Sequence, residues 1–169
     1  MTYEWPLYFC LFLALWSAIV AGNFSAFSEF IMSALKKTQP AGGIEAMQHI
    51  NRDVIRTQFV AGILSIAVFS ALFAVYSLFV FEGAALVTII LASSVYLVSV
   101  FLVTMLGNVP MNNALARLDH ESLDARLYWE NYTRSWTLLN HARSFGSVST
   151  SGLYIIAAIT LITSGQVHS

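Results

Sequence analysis

All eight lysine and arginine side chains of this 169-residue chain fall into two stretches, Lys36 to Arg56 and Arg117 to Arg143. Outside them the sequence consists of long apolar runs with almost no charge. Connectors on the cytoplasmic side of a membrane protein carry an excess of Lys and Arg, so both basic stretches belong on one side of a bilayer. Four apolar segments separate them from the termini and from a charge-poor turn at Glu82 and Gly83. The pattern predicts four crossings, cytoplasmic basic connectors and both termini external, in a plasma or inner membrane.

Composition points the same way. With 57% hydrophobic and 10% charged residues, the chain is too apolar for a water-soluble globule of this size. A net charge of -1 gives no drive toward nucleic acid, and the basic residues read as topology signals that also meet lipid headgroups. Cys10 stands alone in an apolar run, so it has neither an intrachain disulfide partner nor metal-ligand spacing.

The expected fold is all-α, a four-transmembrane-helix bundle in a single domain over 1–169, with crossings at about 7–35, 59–81, 83–106 and 145–163. The first segment exceeds the roughly 20 residues that span a bilayer core, so it must tilt or project. Only Glu4 precedes it, without the positive start of a cleavable signal. The short connection at Glu82 and Gly83 forces an antiparallel hairpin. Asn108 and Pro110 are expected to close the third helix, because proline lacks an amide proton and disfavours helical geometry before it.

Between Ser122 and Ala142 charge alternates with aromatics, without Gly or Pro. Trp129, Tyr132, Trp136 and Leu139 recur at spacings of three and four, one apolar stripe on a helix. An amphipathic cytoplasmic helix is therefore expected before the fourth crossing, lying at the interface or extending that crossing inward. Tyr3, Trp5 and Tyr8 at one end, and Tyr128, Trp129, Tyr132 and Trp136 at the other, suit the headgroup region.

Polar residues at membrane depth are costly and mark packing or function. Gly22, Ser25, Glu29 and Ser33 share helical spacing, as do Asn51, Ile55, Gln58, Gly62 and Ser65. Small residues on such stripes let backbones approach. Glu29 either pairs with Arg52, Arg56 or Arg143 or serves as a functional carboxylate. Thr104 and Asn108 lie one turn apart, and Tyr132, Trp136, Asn140 and Arg143 fall along one face. Glu29, Asn51, Asn108, Asn140 and His141 are expected to line one cavity open toward the cytoplasm.

Gly22 to Leu35, Gly43, Met47-Gln48, Ile50-Asn51, the run from Asn108 to Leu115, Trp136, and Asn140-His141-Ala142-Arg143 together resemble the anthrone oxygenase-like membrane family. The resemblance covers nearly the whole chain. Its most specific parts are Asn108-Val109-Pro110-Met111-Asn112 and the Asn-His-x-Arg segment. Ser33 stands where a proline is usual, and Leu139 where an aromatic often precedes the asparagine.

The resemblance implies a four-helix membrane bundle and, as in fungal members, oxidation of anthrones to anthraquinones. The methylene opposite an anthrone carbonyl is acidic, and its carbanion passes an electron to dioxygen without a metal. Such chemistry asks for a base, oxyanion donors and a dry aromatic slot. Histidine exchanges protons near neutrality, which makes His141 the candidate base. Asn140, Asn108, Asn112 and Arg143 are candidate donors to the oxygen, with Asn51 beside them. Tyr132 and Trp136 are candidates to stack on a flat polycycle, and Glu29 to orient His141 or act as the base.

No cofactor is expected. The alternative is a metal ion held by Glu29, His49 and His141 across the bundle, since no His-x-x-His or Glu-x-x-His spacing exists around His49, His120, His141 or His168. Neither a Gly-x-Ser-x-Gly elbow nor a phosphate loop is present. The competing function is a non-enzymatic membrane protein, a small-solute carrier or a partner-binding subunit. A four-crossing carrier would need to form a homo-oligomer. The nearly all-apolar outer halves favour a pocket open on one side.

The topology is testable by cysteine labelling in intact cells. A cysteine at Ser122 should stay unlabelled by an impermeant reagent while one at the C-terminus reacts, and the reverse result overturns the orientation.

Overall fold

A computed structural model describes residues 4–165. Tyr3, His168 and both chain ends, to which the external location was assigned, lie outside the described residues. Among these residues every regular element is helical, and five helices account for the fold. They are α1 (Trp5–Lys37), α2 (Pro40–Val54), α3 (Gln58–Val80), α4 (Gly83–Ala116) and α5 (Leu123–Thr163). All but α2 are long and apolar enough to cross a membrane. The chain is an integral membrane protein.

The four long helices form a closed ring of neighbours in which α1 packs most extensively on α5, α5 on α4, α4 on α3, and α3 on α1. Their starts follow from local chemistry. Pro6 and Pro40 sit in the first turns of α1 and α2, where the missing amide proton costs nothing. Ser122 caps α5 by accepting the Ala125 amide at 3.1 Å. Between α3 and α4 the chain reverses at Gly83, whose φ of 59° suits a residue without a Cβ.

Two cores result. One fills the bundle with residues such as Leu13, Phe24, Ile66, Phe73, Ile89, Tyr96 and Tyr154. The other gathers Met32, Ile44, Met47, Leu115, Trp129, Tyr132 and Trp136 at the end that carries the basic connectors. α2 enters this second core through Gly43, Ile44 and Met47. Gln48 fastens it by donating to the carbonyls of Leu115 and Leu118, both at 2.9 Å.

Several expectations change. Asn108 and Pro110 do not close the third helix, because α4 continues to Ala116. The turn at Thr104–Asn108 is a π-turn, with the Val109 amide bonded to the Thr104 carbonyl. One extra residue in the turn lets the helix run through the proline that would otherwise clash with the preceding turn. Asn51 and Gln58 do not share a helix, since the chain breaks at Thr57, which has an extended backbone. On α1 the stripe of Gly22, Ser25, Glu29 and Ser33 points outward, with Gly22, Glu29 and Ser33 exposed. The aromatic segment before the fourth crossing extends it as one unbroken helix.

At the α4–α5 contact, a Cβ on Gly146 would overlap Ser99 Oγ and lie 2.8 Å from Ser99 Cβ. Gly152 has open space around it. Gly146→Ala should therefore lower the melting temperature in detergent, with an overpacking cost of roughly 1–3 kcal/mol. Gly152→Ala should leave it unchanged or raise it, alanine being the better helix former.

Candidate functional site

Among the described residues, the interior of the bundle holds one charged side chain. Arg143, on α5, is 5% exposed. Its guanidinium carbon sits 4.3 Å from the centroid of the Phe24 ring and 5.1 Å from that of Trp136, a cation–π cradle. One terminal nitrogen donates to Asn140 Oδ1 at 2.7 Å. Nε is buried without a partner. Among the described residues no carboxylate pairs with it. Burying a cation costs several kcal/mol unless an anion and hydrogen bonds repay it.

Asn140 ties this group to α1. Its amide nitrogen donates to the Phe24 carbonyl and to Ser28 Oγ, both at 2.7 Å. Ser28 and Ser144 hydroxyls lie 3.3 Å apart, and Ser144 donates to the Asn140 carbonyl at 3.0 Å. From α4, Asn108 donates to the Trp136 carbonyl at 3.2 Å, while its Oδ1 is buried and unpartnered.

A second polar layer lies toward the connectors. Asn112 Oδ1 accepts from the Tyr132 hydroxyl and from Trp136 Nε1, both at 2.8 Å. Asn51 reaches the Tyr132 hydroxyl at 3.5 Å. Trp129 stacks on Tyr132 at 5.4 Å, and Tyr132 on Trp136 at 6.2 Å. Phe27 tilts against Trp136 at 5.8 Å.

The helices that face this site are locally widened. α1 has a π-turn at Phe27–Ile31, and α4 has two, at Leu97–Leu102 and Thr104–Asn108. All three pack on α5. Contacts fix their level: Ser28 reaches Asn140 and Ser144, Asn108 reaches Trp136, and Ser99 abuts Gly146. Such turns recur at functional sites, where they re-aim side chains.

The structure thus brings together Arg143, Asn140, Asn108, Asn112, Tyr132, Trp136 and Asn51. It does not bring in Glu29 or His141, and the expected cavity shared by them does not form. Both are exposed, and neither makes a hydrogen bond or ion pair among the described residues. The anticipated pairing of Glu29 with Arg52, Arg56 or Arg143 is absent among those residues. Each flanks the Ser28–Asn140 hydrogen bond by one residue, so they share its level on the outward side. One residue along a helix is about 100° of rotation, enough to turn a neighbour of a buried Asn outward. His49 is exposed and bonds to Arg52 at 3.1 Å. Among the described residues no three His, Cys, Asp or Glu side chains group as a metal would require, so Glu29, His49 and His141 stand apart.

Sequence reasoning does not single out Phe24, Ser28 or Ser144, which complete the buried centre. The available signal is their spacing: Phe24 and Ser28, like Asn140 and Ser144, are four residues apart and so share a helix face.

The two central residues should differ in stability. Arg143→Met should be nearly neutral or stabilising in thermal denaturation, because it removes a buried charge that has no carboxylate among the described residues. Asn140→Ala should cost about 1.5–3 kcal/mol, since it strips hydrogen bonds from a guanidinium and a buried carbonyl.

The model of the family described as anthrone oxygenase matches residues 53–153. That range contains Asn108, Asn112, Tyr132, Trp136, Asn140 and Arg143, and leaves Phe24 and Ser28 outside. Neither a curated protein nor a solved structure matches the chain.

Proposed function

The chain belongs to the anthrone oxygenase family, and on that footing we propose that it oxidises a flat, lipophilic, anthrone-like aromatic with dioxygen. The observation that supports this reading is the buried Arg143, which has an aromatic cradle, an amide neighbour and, among the described residues, no carboxylate. A cation arranged in this way favours a substrate that becomes an anion during the reaction.

In the proposed sequence the methylene proton leaves and the electron pair moves into the ring, giving an oxyanion where the ketone was. Arg143, held by the Asn140 amide oxygen and with Asn108 as a second donor, stabilises that oxygen, and low local polarity strengthens the interaction. The carbanion transfers an electron to dioxygen and the two fragments join as a peroxide. Loss of water leaves a second ketone. One dioxygen is consumed, one oxygen atom enters the product, and the other leaves as water. Dioxygen is the oxidant, so the route asks no metal of the protein.

Two placements of the proton acceptor follow from the geometry. Removal at His141, with Glu29 beside it, requires substrate lying along the outer rim of the α1–α5 contact. Removal inside the bundle requires substrate reaching the Tyr132, Asn112 and Asn51 cluster, with solvent hydroxide as the proton acceptor, because none of those three side chains is a base.

Oxygen uptake with emodin anthrone in detergent, corrected for autoxidation, tests the reading. Arg143→Met should reduce turnover about 10²–10³-fold, the usual loss for an oxyanion donor. His141→Ala should reduce it about 10²–10⁴-fold if the rim carries the base, and should leave it unchanged if proton removal occurs inside. Wild-type uptake no faster than detergent alone across a panel of anthrones would overturn the oxygenase reading in favour of a non-enzymatic carrier or subunit.

A further inference from the structure

A groove of about 420 Å³ runs between α1 and α3, lined by Phe12, Trp16, Gln58, Gly62, Ser65 and Phe69 among others. Its volume falls in the roughly 300–1,000 Å³ range of small-molecule sites. Ile66 and Gly62 form its floor, both buried, and a Cβ on Gly62 would already touch the Trp16 ring at 3.4 Å. Phe12 and Phe69 stand exposed at its walls, their centroids 6.4 Å apart. The groove therefore opens on the face that meets lipid.

An acyl chain needs only apolar walls. This groove also carries Gln58 and Ser65, about two turns apart, and neither side chain makes a hydrogen bond among the described residues. Several hydroxyls of the crossings bond their own helix, such as Thr104 to the Val100 carbonyl at 2.7 Å and Thr88 to the Ala84 carbonyl at 2.8 Å. Two unspent polar groups along one edge of an aromatic slot suit an uncharged planar ring system with hydrogen-bonding oxygens on one side. Among the described residues no charged side chain lines the slot.

The groove also has a neighbour. Phe59, next to Gln58 in the chain, packs edge-on against Phe24 at 5.3 Å, and the same Phe24 ring covers the Arg143 guanidinium. Phe24 is 3% exposed and touches both Phe59 and the buried cation.

We propose that the α1–α3 groove is a docking subsite where a planar, uncharged, oxygen-bearing polycycle enters from the membrane, with Phe24 and Phe59 as the partition between it and Arg143. The ligand class rests on the oxygenase reading, while the subsite rests on the groove.

The test is binding of 1,8-dihydroxyanthraquinone, a planar tricycle already oxidised at the reacting carbon, so no turnover is needed. Binding is followed by dialysis of the purified protein in detergent and by quenching of tryptophan emission. Saturable binding is expected, weakened at least tenfold in Gly62→Leu and Ser65→Leu, and with most of the quenching lost in Trp16→Phe. Ser65 is exposed, so its substitution fills the slot without disturbing the core. Gln58→Leu should weaken binding by a smaller factor, whereas Leu138→Ala, on the exposed side of α5, should keep it within about threefold of wild type. Unchanged binding in both slot-filling variants would overturn the subsite. So would the absence of saturable binding in the wild type, which would leave the groove to acyl chains. Binding at the groove without anthrone oxidation would retain the subsite and reject the oxygenase reading.

Discussion

The hydrogen bonds of Asn140 hold the centre of this bundle together. A bilayer core offers no water to a polar group, so each must find its partner within the protein. Asn140 serves two sides at once, giving its amide nitrogen to the Phe24 carbonyl and Ser28 on α1 and its oxygen to Arg143. In doing so it fixes the level of α1 against α5, the most extensive helix pair in the molecule. That register places the Phe24 ring beneath the guanidinium and the Phe27 ring against Trp136. The aromatic cradle, the partition beside the groove and the widened turn of α1 all depend on it.

The number of crossings, the tight hairpin and the shared face of Trp129, Tyr132 and Trp136 were legible in the sequence, although these rings fill the second core instead of the headgroup region to which their type points. They rest on signals that survive in a membrane: apolar length, short connections, and aromatics spaced within an otherwise polar segment. Asn108, Asn140 and Arg143 were also legible as neighbours, because an interior polar side chain at membrane depth needs others near it. The facing of Glu29 and His141 was not. Both sides of a membrane helix are apolar, so the periodicity that identifies a buried face in water is flattened here. The single-residue insertion of a π-turn at Phe27–Ile31 then shifts the phase just where Glu29 sits. Pro110 misleads for the same reason, since a widened turn carries the helix past a residue that ends most helices.

How far polarity extends decides between a pocket and a conduit. The apolar outer halves expected from the runs of sequence hide several buried hydroxyls. Ser147, Thr150 and Ser17 are fully buried without hydrogen-bond partners among the described residues, and Tyr154 joins Ser93 at 3.0 Å and Ser70 at 2.9 Å. On α5, Arg143, Ser147, Thr150 and Tyr154 follow one another at spacings of three and four, so the inward face stays polar for about three turns beyond the cation.

That polar face nonetheless stops. The Tyr154 hydroxyl is taken up by serines from two other helices, and Tyr96 closes the same layer by donating to the Ile63 carbonyl at 3.1 Å. Toward the α3–α4 hairpin the interior is filled by Cys10, Leu13, Phe73, Ala85, Ile89 and Leu161, all at most 2% exposed. A path for ions or polar solutes would need charged or amide side chains through that layer, and neutral apolar packing replaces them. A reactive anion formed beside Arg143 would therefore meet donors on one side and dry packing on the other. Under the proposed oxidation, such an arrangement would shield the intermediate from protonation by bulk water.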